Sequence, residues 1–304
     1  MIKESLPQIK SSEHISGVEE EAFDLIIPEH EDLAIKLEEF EEIYGKEEIA
    51  RDNVAVERKR AKFEKIDGPL KRRARLLEAI LSQQIELSEW FGKDAATITP
   101  SEYDDLFNGV DMIAEFERDD SFQYMAMGVD VTSSVQQVKK KLAIIKEHIR
   151  DGTLTQVKYF KSERNDIQGR MGKIPLLVVG ADSRTISELA NLWLATYKSK
   201  HPEVGLDKLD IEELKQKARE AREILAKHRA AILVLKELKA QLEVFIEFAR
   251  GVKSTEVEAR YKNLLRVIDE IIKEKNISKS DELENESDNV YSAIMEELKT
   301  FLSE

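Results

Sequence analysis

Residues 108–134 read Asn-Gly-Val-Asp-Met-Ile-Ala-Glu-Phe-Glu, then Arg-Asp-Asp-Ser, then Phe-Gln-Tyr-Met-Ala-Met-Gly-Val-Asp-Val-Thr-Ser-Ser. Both apolar runs are rich in Val, Ile, Met, Phe and Tyr over six to nine residues, which favours strands over helices. The polar cluster Arg118–Ser121 between them is turn-forming, so the stretch predicts an antiparallel hairpin. Each run carries one aspartate among apolar neighbours, Asp111 in the first and Asp130 in the second. A carboxylate in such surroundings is costly unless it is paired, hydrogen-bonded or bound to a metal. Two on adjacent strands suggest a shared divalent cation.

Outward from the hairpin, the flanking segments extend the pattern. Pro69 suits the first turn of a helix carrying Leu70, Ala74, Leu77, Leu81 and Ile85 on one face, with Gly92 as its cap. Residues 93–101 read as a loop. After the hairpin, Ser133 or Ser134 starts a helix over Val135–Arg150 with Val138, Leu142, Ile145 and Ile149 on one face. Residues 154–160 are β-rich, 161–173 look like a mobile loop, and Ile174–Val179 is the continuous apolar run of a buried strand. A helix over Thr185–Lys198 follows. The middle of the chain is therefore expected to be an α/β, mixed-sheet sandwich over residues 69–202.

The flanks read as helical. Residues 1–18 look disordered, and an apolar patch at Phe23–Ile27 is expected to stop at Pro28. One acidic helix then runs over residues 31–66 with Leu33, Leu37, Phe40 and Tyr44 as its stripe, making residues 1–68 an N-terminal arm. Residues 203–304 are expected to form a C-terminal helical hairpin and acidic tail. Its heptad-like stripe over residues 210–250 passes through His228 and is partly coiled-coil in character.

Composition narrows the chemistry. The 304 residues contain no cysteine, which removes disulfides, zinc–thiolate sites and thiol catalysis. No histidine has ligand spacing with another, and no phosphate-loop, dinucleotide or nucleophile-elbow motif is present. No apolar run approaches a bilayer span, so no membrane partner and a cytoplasmic location are expected. The net charge of −14 argues against nucleic acid, but its distribution does not. Residues 1–68 carry 10 basic against 19 acidic side chains, while residues 69–200 carry 19 of each. Lys71, Arg72, Arg73 and Arg75 crowd a helix start, where the dipole disfavours cations, and so are candidates for an anionic partner such as nucleic acid.

The order of these elements and carboxylates resembles the core of the PD-(D/E)XK nuclease superfamily. That core places a glutamate on a first helix, an aspartate on one strand, and Asp/Glu-x-Lys on the next. Carried onto this chain, the resemblance implies Glu78, Glu86 or Glu89 on the helix, Asp111 on the first strand, and Asp130-Val131-Thr132 on the second. Thr132 stands where the family has lysine, and Lys139 or Lys140 on the following helix would have to reach back. The implied activity is hydrolysis of a phosphodiester with Mg²⁺ or Mn²⁺, the metal held by Asp111, Asp130 and a helix glutamate. Two alternatives stand beside it. Asp111 and Asp130 can cap or salt-bridge strand ends, and the protein can be a non-catalytic adaptor that meets a protein partner, or itself, through its helical arms.

Overall fold

The computed structural model describes residues 14–63, 68–117, 125–162, 164–202, 207–277 and 287–303. It is a mixed α/β structure with long helices and a small mixed sheet. The predicted hairpin is its centre. Strand β2 (Met112–Phe116) pairs antiparallel with β3 (Met125–Thr132), in the register Met112 to Val129 and Phe116 to Met125. The turn expected at Arg118–Ser121 lies outside the described residues.

A strand hidden in the presumed loop, β1 (Ala95–Ile98), pairs antiparallel with β2. The buried run near Ile174 is β6 (Leu176–Gly180), parallel to β3, so the sheet order is β1-β2-β3-β6. All five residues of β2 and of β6 are buried, which is why β6 reads as an unbroken apolar run and β2 as one interrupted only by Glu115. Residues 161–173 hold a further strand. β5 (Gln168–Ile174) pairs antiparallel with β4 (Thr155–Lys161) in a separate two-stranded sheet. Most of β5 is exposed, so its polar side chains resemble a loop in sequence.

The helices that frame the sheet follow the apolar spacing. α4 (Pro69–Leu87) starts on Pro69 and packs on β1 and β3. Its chain leaves the helix through Glu89 and Gly92, both at positive φ (52° and 84°). α5 (Glu102–Asn108) is capped by Ser101 and ends on Gly109 in the left-handed region, φ 64°. α6 (Val135–Arg150) matches its expected bounds and buries Val138, Leu142, Ile145 and Ile149. α7 (Ser183–Lys200) is capped by the Asp182 side chain rather than by Ser183.

The flanks depart most from expectation. Helix α1 (Gly17–Asp32) starts on a Ser16–Glu19 capping box and runs through Pro28. Pro28 and Asp24, whose carbonyl loses its helical donor there, are both exposed, so water can take the place of the missing bond. The single helix expected over 31–66 is instead a 3₁₀ turn (Leu37–Phe40), α2 (Glu41–Tyr44) and α3 (Lys46–Phe63), divided at Gly45 with φ 80°. The helix expected over 210–250 is likewise two, α8 (Lys208–Ala226) and α9 (Arg229–Gly251). His228 is not a stripe residue but the cap between them, its Nδ1 accepting the Ala230 N–H at 3.2 Å. α10 (Thr255–Glu274) packs back on α9, and α11 (Asn289–Phe301) packs on α6 and α9.

Nearly all the buried hydrophobic residues form one continuous cluster from Ala22 to Phe301. Both flanks therefore contribute to the same core as the sheet. The N-terminal helices are further fastened by a buried lysine. Lys158 on β4, 7% exposed, ion-pairs with Glu48 and with Asp52 at 2.6 Å, and lies 5.2–5.4 Å from the ring centres of Tyr44, Tyr103 and Tyr159. Such a position satisfies a buried cation from every side.

Candidate active site

Gly109 turns the chain out of α5 so that Val110 enters the core and Asp111 starts the sheet. The Asp111 N–H donates to Val129 O at 2.9 Å, placing the residue just ahead of β2 rather than within it. Its carboxylate Oδ2 accepts the Val131 N–H at 2.6 Å, extending the β2–β3 ladder by one bond. Asp130 lies on β3 opposite Val178 of β6. Asp130 and Asp105 of α5 both lie near enough to Asp111 for its charge to raise them.

Helix α6 supplies the cation. The Lys141 ammonium ion-pairs with Asp130 and donates to Val131 O at 3.0 Å, with 21% of its side chain exposed. Lys139 and Lys140, the expected candidates, are exposed on α6. Thr132 does not take the lysine's place, since its hydroxyl accepts the Ser134 N–H at 3.1 Å at the helix start.

Helix α4 supplies Glu78, whose charge is coupled to Asp111, Asp130 and Lys141. Glu86 and Glu89 do not join it. Glu86 accepts from the Thr97 N–H (2.9 Å) and hydroxyl (2.7 Å), and Glu89 is an exposed residue beyond the helix end. Glu78 Oε1 instead lies 2.9 Å from Nε2 of His30 on α1.

The electrostatics record the crowding of acids. Burial, then the Asp111 charge, push Asp130 up to about 7 despite Lys141. Glu78 is raised well above its usual range by burial, with Asp111 and Asp130 adding to it and Arg75 and Lys141 opposing. Asp105 is raised by partial withdrawal of its carboxyl from water, then by Asp111. Lys141 is raised: burial works against its charge, and Asp111 and Asp130 overcome that. His30 is lowered to about 4 by burial and by Arg75, and is neutral at physiological pH.

The basic cluster on α4 is spent inside the molecule. Arg73 forms a buried pair with Glu19 of α1, Arg72 meets Glu20 and Asp24, and Arg75 meets Glu31. Arg72 also lies 4.4 Å over the Phe23 ring. Arg72, Arg73 and Arg75, expected at a nucleic-acid contact, thus dock the acidic helix α1, while Lys71 stays exposed.

No known protein family, curated protein or solved structure matches the chain. The local chemistry has to be judged by itself. Glu78, Asp111 and Asp130 are hard oxygen donors of the kind Mg²⁺ and Mn²⁺ take, with excess negative charge for a cation to relieve. Their present orientation is toward protein partners. Among the described residues no group of three His, Cys, Asp or Glu side chains is disposed to hold a metal ion. Also among the described residues, no helix is long and apolar enough to cross a membrane.

Proposed function

We propose that this chain is a divalent-metal-dependent phosphodiesterase acting on nucleic acid. To hold Mg²⁺ or Mn²⁺, Glu78, Asp111 and Asp130 would have to turn from their present protein partners toward the ion, and Lys141 would be the catalytic cation. One observation carries the reading: Lys141 reaches back from α6 onto Asp130, at the carboxylate flanked by Asp111 and coupled to Glu78. This restores, from a different element, the lysine that Thr132 cannot supply. It is also what supports the resemblance to the PD-(D/E)XK core over about residues 69–200. The metal, when bound, would polarise the phosphodiester and lower the pKa of an attacking water.

The protein's own groups divide the remaining work. The Val131 N–H holds Asp111 Oδ2 in a fixed direction. Lys141, tied to Val131 O and Asp130, would orient the attacking water and offset charge developing on the phosphoryl oxygens. Lys71, Lys139 and Lys140 are exposed and free of the α1 seam, so they are the better candidates for phosphate contacts.

A second reading, a non-catalytic adaptor associating through coil-like helical surfaces, also has observations behind it. Asp111 caps a strand N–H and Asp130 salt-bridges, as purely structural aspartates do. Incubating the full chain with single- and double-stranded DNA and RNA in Mg²⁺ or Mn²⁺, beside Asp111→Ala and Asp130→Ala, separates the two. Cleavage by the wild type alone supports the enzyme. Equal cleavage by both variants, or none by any protein, removes it.

A further inference from the structure

The turn from α8 into α9 borders an open groove of about 620 Å³, within the size range of small-molecule sites. His228 lines it, with only 8% of its side chain exposed. Its Nδ1 accepts the Ala230 N–H, so a neutral ring carries its proton on Nε2. That donor opens on the groove and has no hydrogen-bond partner among the described residues. Glu188 Oε2 lies 3.8 Å from it, beyond hydrogen-bond distance. A buried ring with its one donor unspent calls for an acceptor from outside the chain.

Charge divides the groove along α8. Glu220, Glu223, Ile224 and Lys227 recur at three- and four-residue spacing and line it together. Among the described residues, neither Glu223 nor Lys227 is engaged in an ion pair. Lys227, His228 and Arg229 make one end basic. Glu188, beside them, is already offset by Arg229 and Arg184, each at 3.1 Å. Glu220 and Glu223 make the other end acidic, and Ile224, 51% exposed, lies between. We propose that this groove binds a lysine-like zwitterion, a carboxylate and an ammonium at the two ends of an unbranched methylene chain. The carboxylate accepts from His228 Nε2–H beside Lys227 and Arg229. The chain lies on Ile224, and the ammonium meets Glu223 and Glu220. Those acids stand four and seven residues before Lys227, roughly 6–10 Å of axial rise, which about five methylenes span. An anion alone would leave the glutamates unmet, and an amine alone would leave His228 and Lys227 unmet. None of these residues belongs to the Glu78–Asp111–Asp130–Lys141 cluster, so the proposal stands apart from the phosphodiesterase reading. The same chemistry occurs in a free ω-amino acid and in the C-terminal lysine of a peptide.

The test titrates the full chain calorimetrically with 6-aminohexanoate at low salt, beside hexanoate and hexylamine, each of which keeps one end. The expected result is binding of 6-aminohexanoate, with either single-ended probe weaker by roughly tenfold or more. Lys227→Ala, and Glu220→Gln together with Glu223→Gln, remove exposed charges and should each weaken binding roughly two- to fivefold. His228→Asn keeps a side chain able to cap α9 and removes the Nε2 donor, and it should cost roughly tenfold in affinity. Ligand-free melting checks the fold of each variant, and should His228→Asn fail to fold, the charge variants decide. A wild type that does not bind 6-aminohexanoate overturns the proposal. Equal affinity for hexanoate or hexylamine also overturns it, since one end then suffices, as does unchanged binding in every variant. A peptide ending in lysine, run beside its C-terminal amide, separates the two sources. Tighter binding of the peptide acid than of 6-aminohexanoate supports a chain end as the ligand, and the reverse supports a free ω-amino acid.

Discussion

Arg73 and Glu19 meet as a two-point ion pair, Nε to Oε1 at 2.9 Å and Nη2 to Oε2 at 3.1 Å, with 3% and 0% of their side chains exposed. Removing one partner strands the other charge in the core. Arg73→Met is expected to cost about 3–5 kcal/mol at pH 7, and Arg73→Met with Glu19→Leu to recover most of it. Burial pulls the Glu19 pKa up, but hydrogen bonds from Arg73, Ser16 and Ser187 bring it below the ordinary 4.5. A depressed carboxylate stabilises the fold above its unfolded pKa and loses that contribution as pH falls through the folded value. The gap between wild type and Arg73→Met should therefore narrow between pH 5 and pH 3. Urea titrations at the two pH values measure it, and a constant gap would refute the assignment.

Asp130 behaves in the opposite sense. Its carboxyl is pushed up to about 7 in the fold, from an ordinary 3.8, by burial and then by Asp111. Between those values the folded state holds a proton that the unfolded state has lost, so stability declines as pH rises from 4 to 7. Asp130→Asn should flatten that decline and melt at or above wild type in EDTA at pH 7.5. Binding of Mg²⁺ or Mn²⁺ to the folded wild type at a hundredfold excess over Kd adds about 2.7 kcal/mol. For a chain of this size each kcal/mol is roughly 2–4 °C of Tm, and Asp130→Asn should gain little of it. A flat wild-type response to both metals would end the catalytic reading.

Lys141 and its neighbours give a positional test. Lys141→Ala is expected to lower kcat by about 10²–10³-fold, the scale of losing one preorganised charge at a developing oxyanion. Lys139→Ala and Lys140→Ala should leave kcat within a fewfold of wild type and raise KM, because both side chains face solvent. Steady-state cleavage of a single-stranded oligonucleotide in Mn²⁺ reads the split. Loss of kcat in Lys140→Ala instead would return the role to an exposed residue.

Lys158 should resist chemistry that its neighbours accept. Burial works to lower its pKa, but the hydrogen bonds it donates to Asp52 and Glu48 carry it above the ordinary value. A lysine that keeps its proton and lies 7% exposed is a poor nucleophile. Limited acetylation at pH 8 followed by peptide mass spectrometry should label Lys139 and Lys140 well before Lys158. Comparable rates would mean that α3 swings away from β4.

Much of the centre was legible because its residues obey short-range rules. The β2–β3 hairpin, α4 from Pro69 and α6 from Val135 carry periodicities that tertiary packing did not override. β1 and β5 were missed because four short residues and a run of exposed polar ones carry no alternation. The breaks at Gly45 and His228 were missed because helix formers continue on both sides. In the site, Asp111 and Asp130 stood out as carboxylates in apolar runs. Lys141 lies one residue past the pair expected, and a helix turns 100° per residue, enough to separate a buried contact from solvent. His30 and Asp105 gave no signal, since one is brought in by the charge seam of α1 and the other by the Gly109 turn.

The parallel pairing of β3 with β6 has a bearing on how the molecule is made. Every member of the cluster, from Glu78 to Lys141, has been synthesised before Leu176 at the start of β6. At roughly 5–20 residues per second the interval is roughly 2–7 s. Throughout it, the edge of β3 that will receive β6 is an open row of hydrogen-bonding groups beside Asp130. Asp130 on that strand, and Lys141 folding back over it and Val131 O, make it a poor template for a stray strand. The ion pair that marks the candidate site thus also shields a growing chain from pairing with its neighbours on the same message.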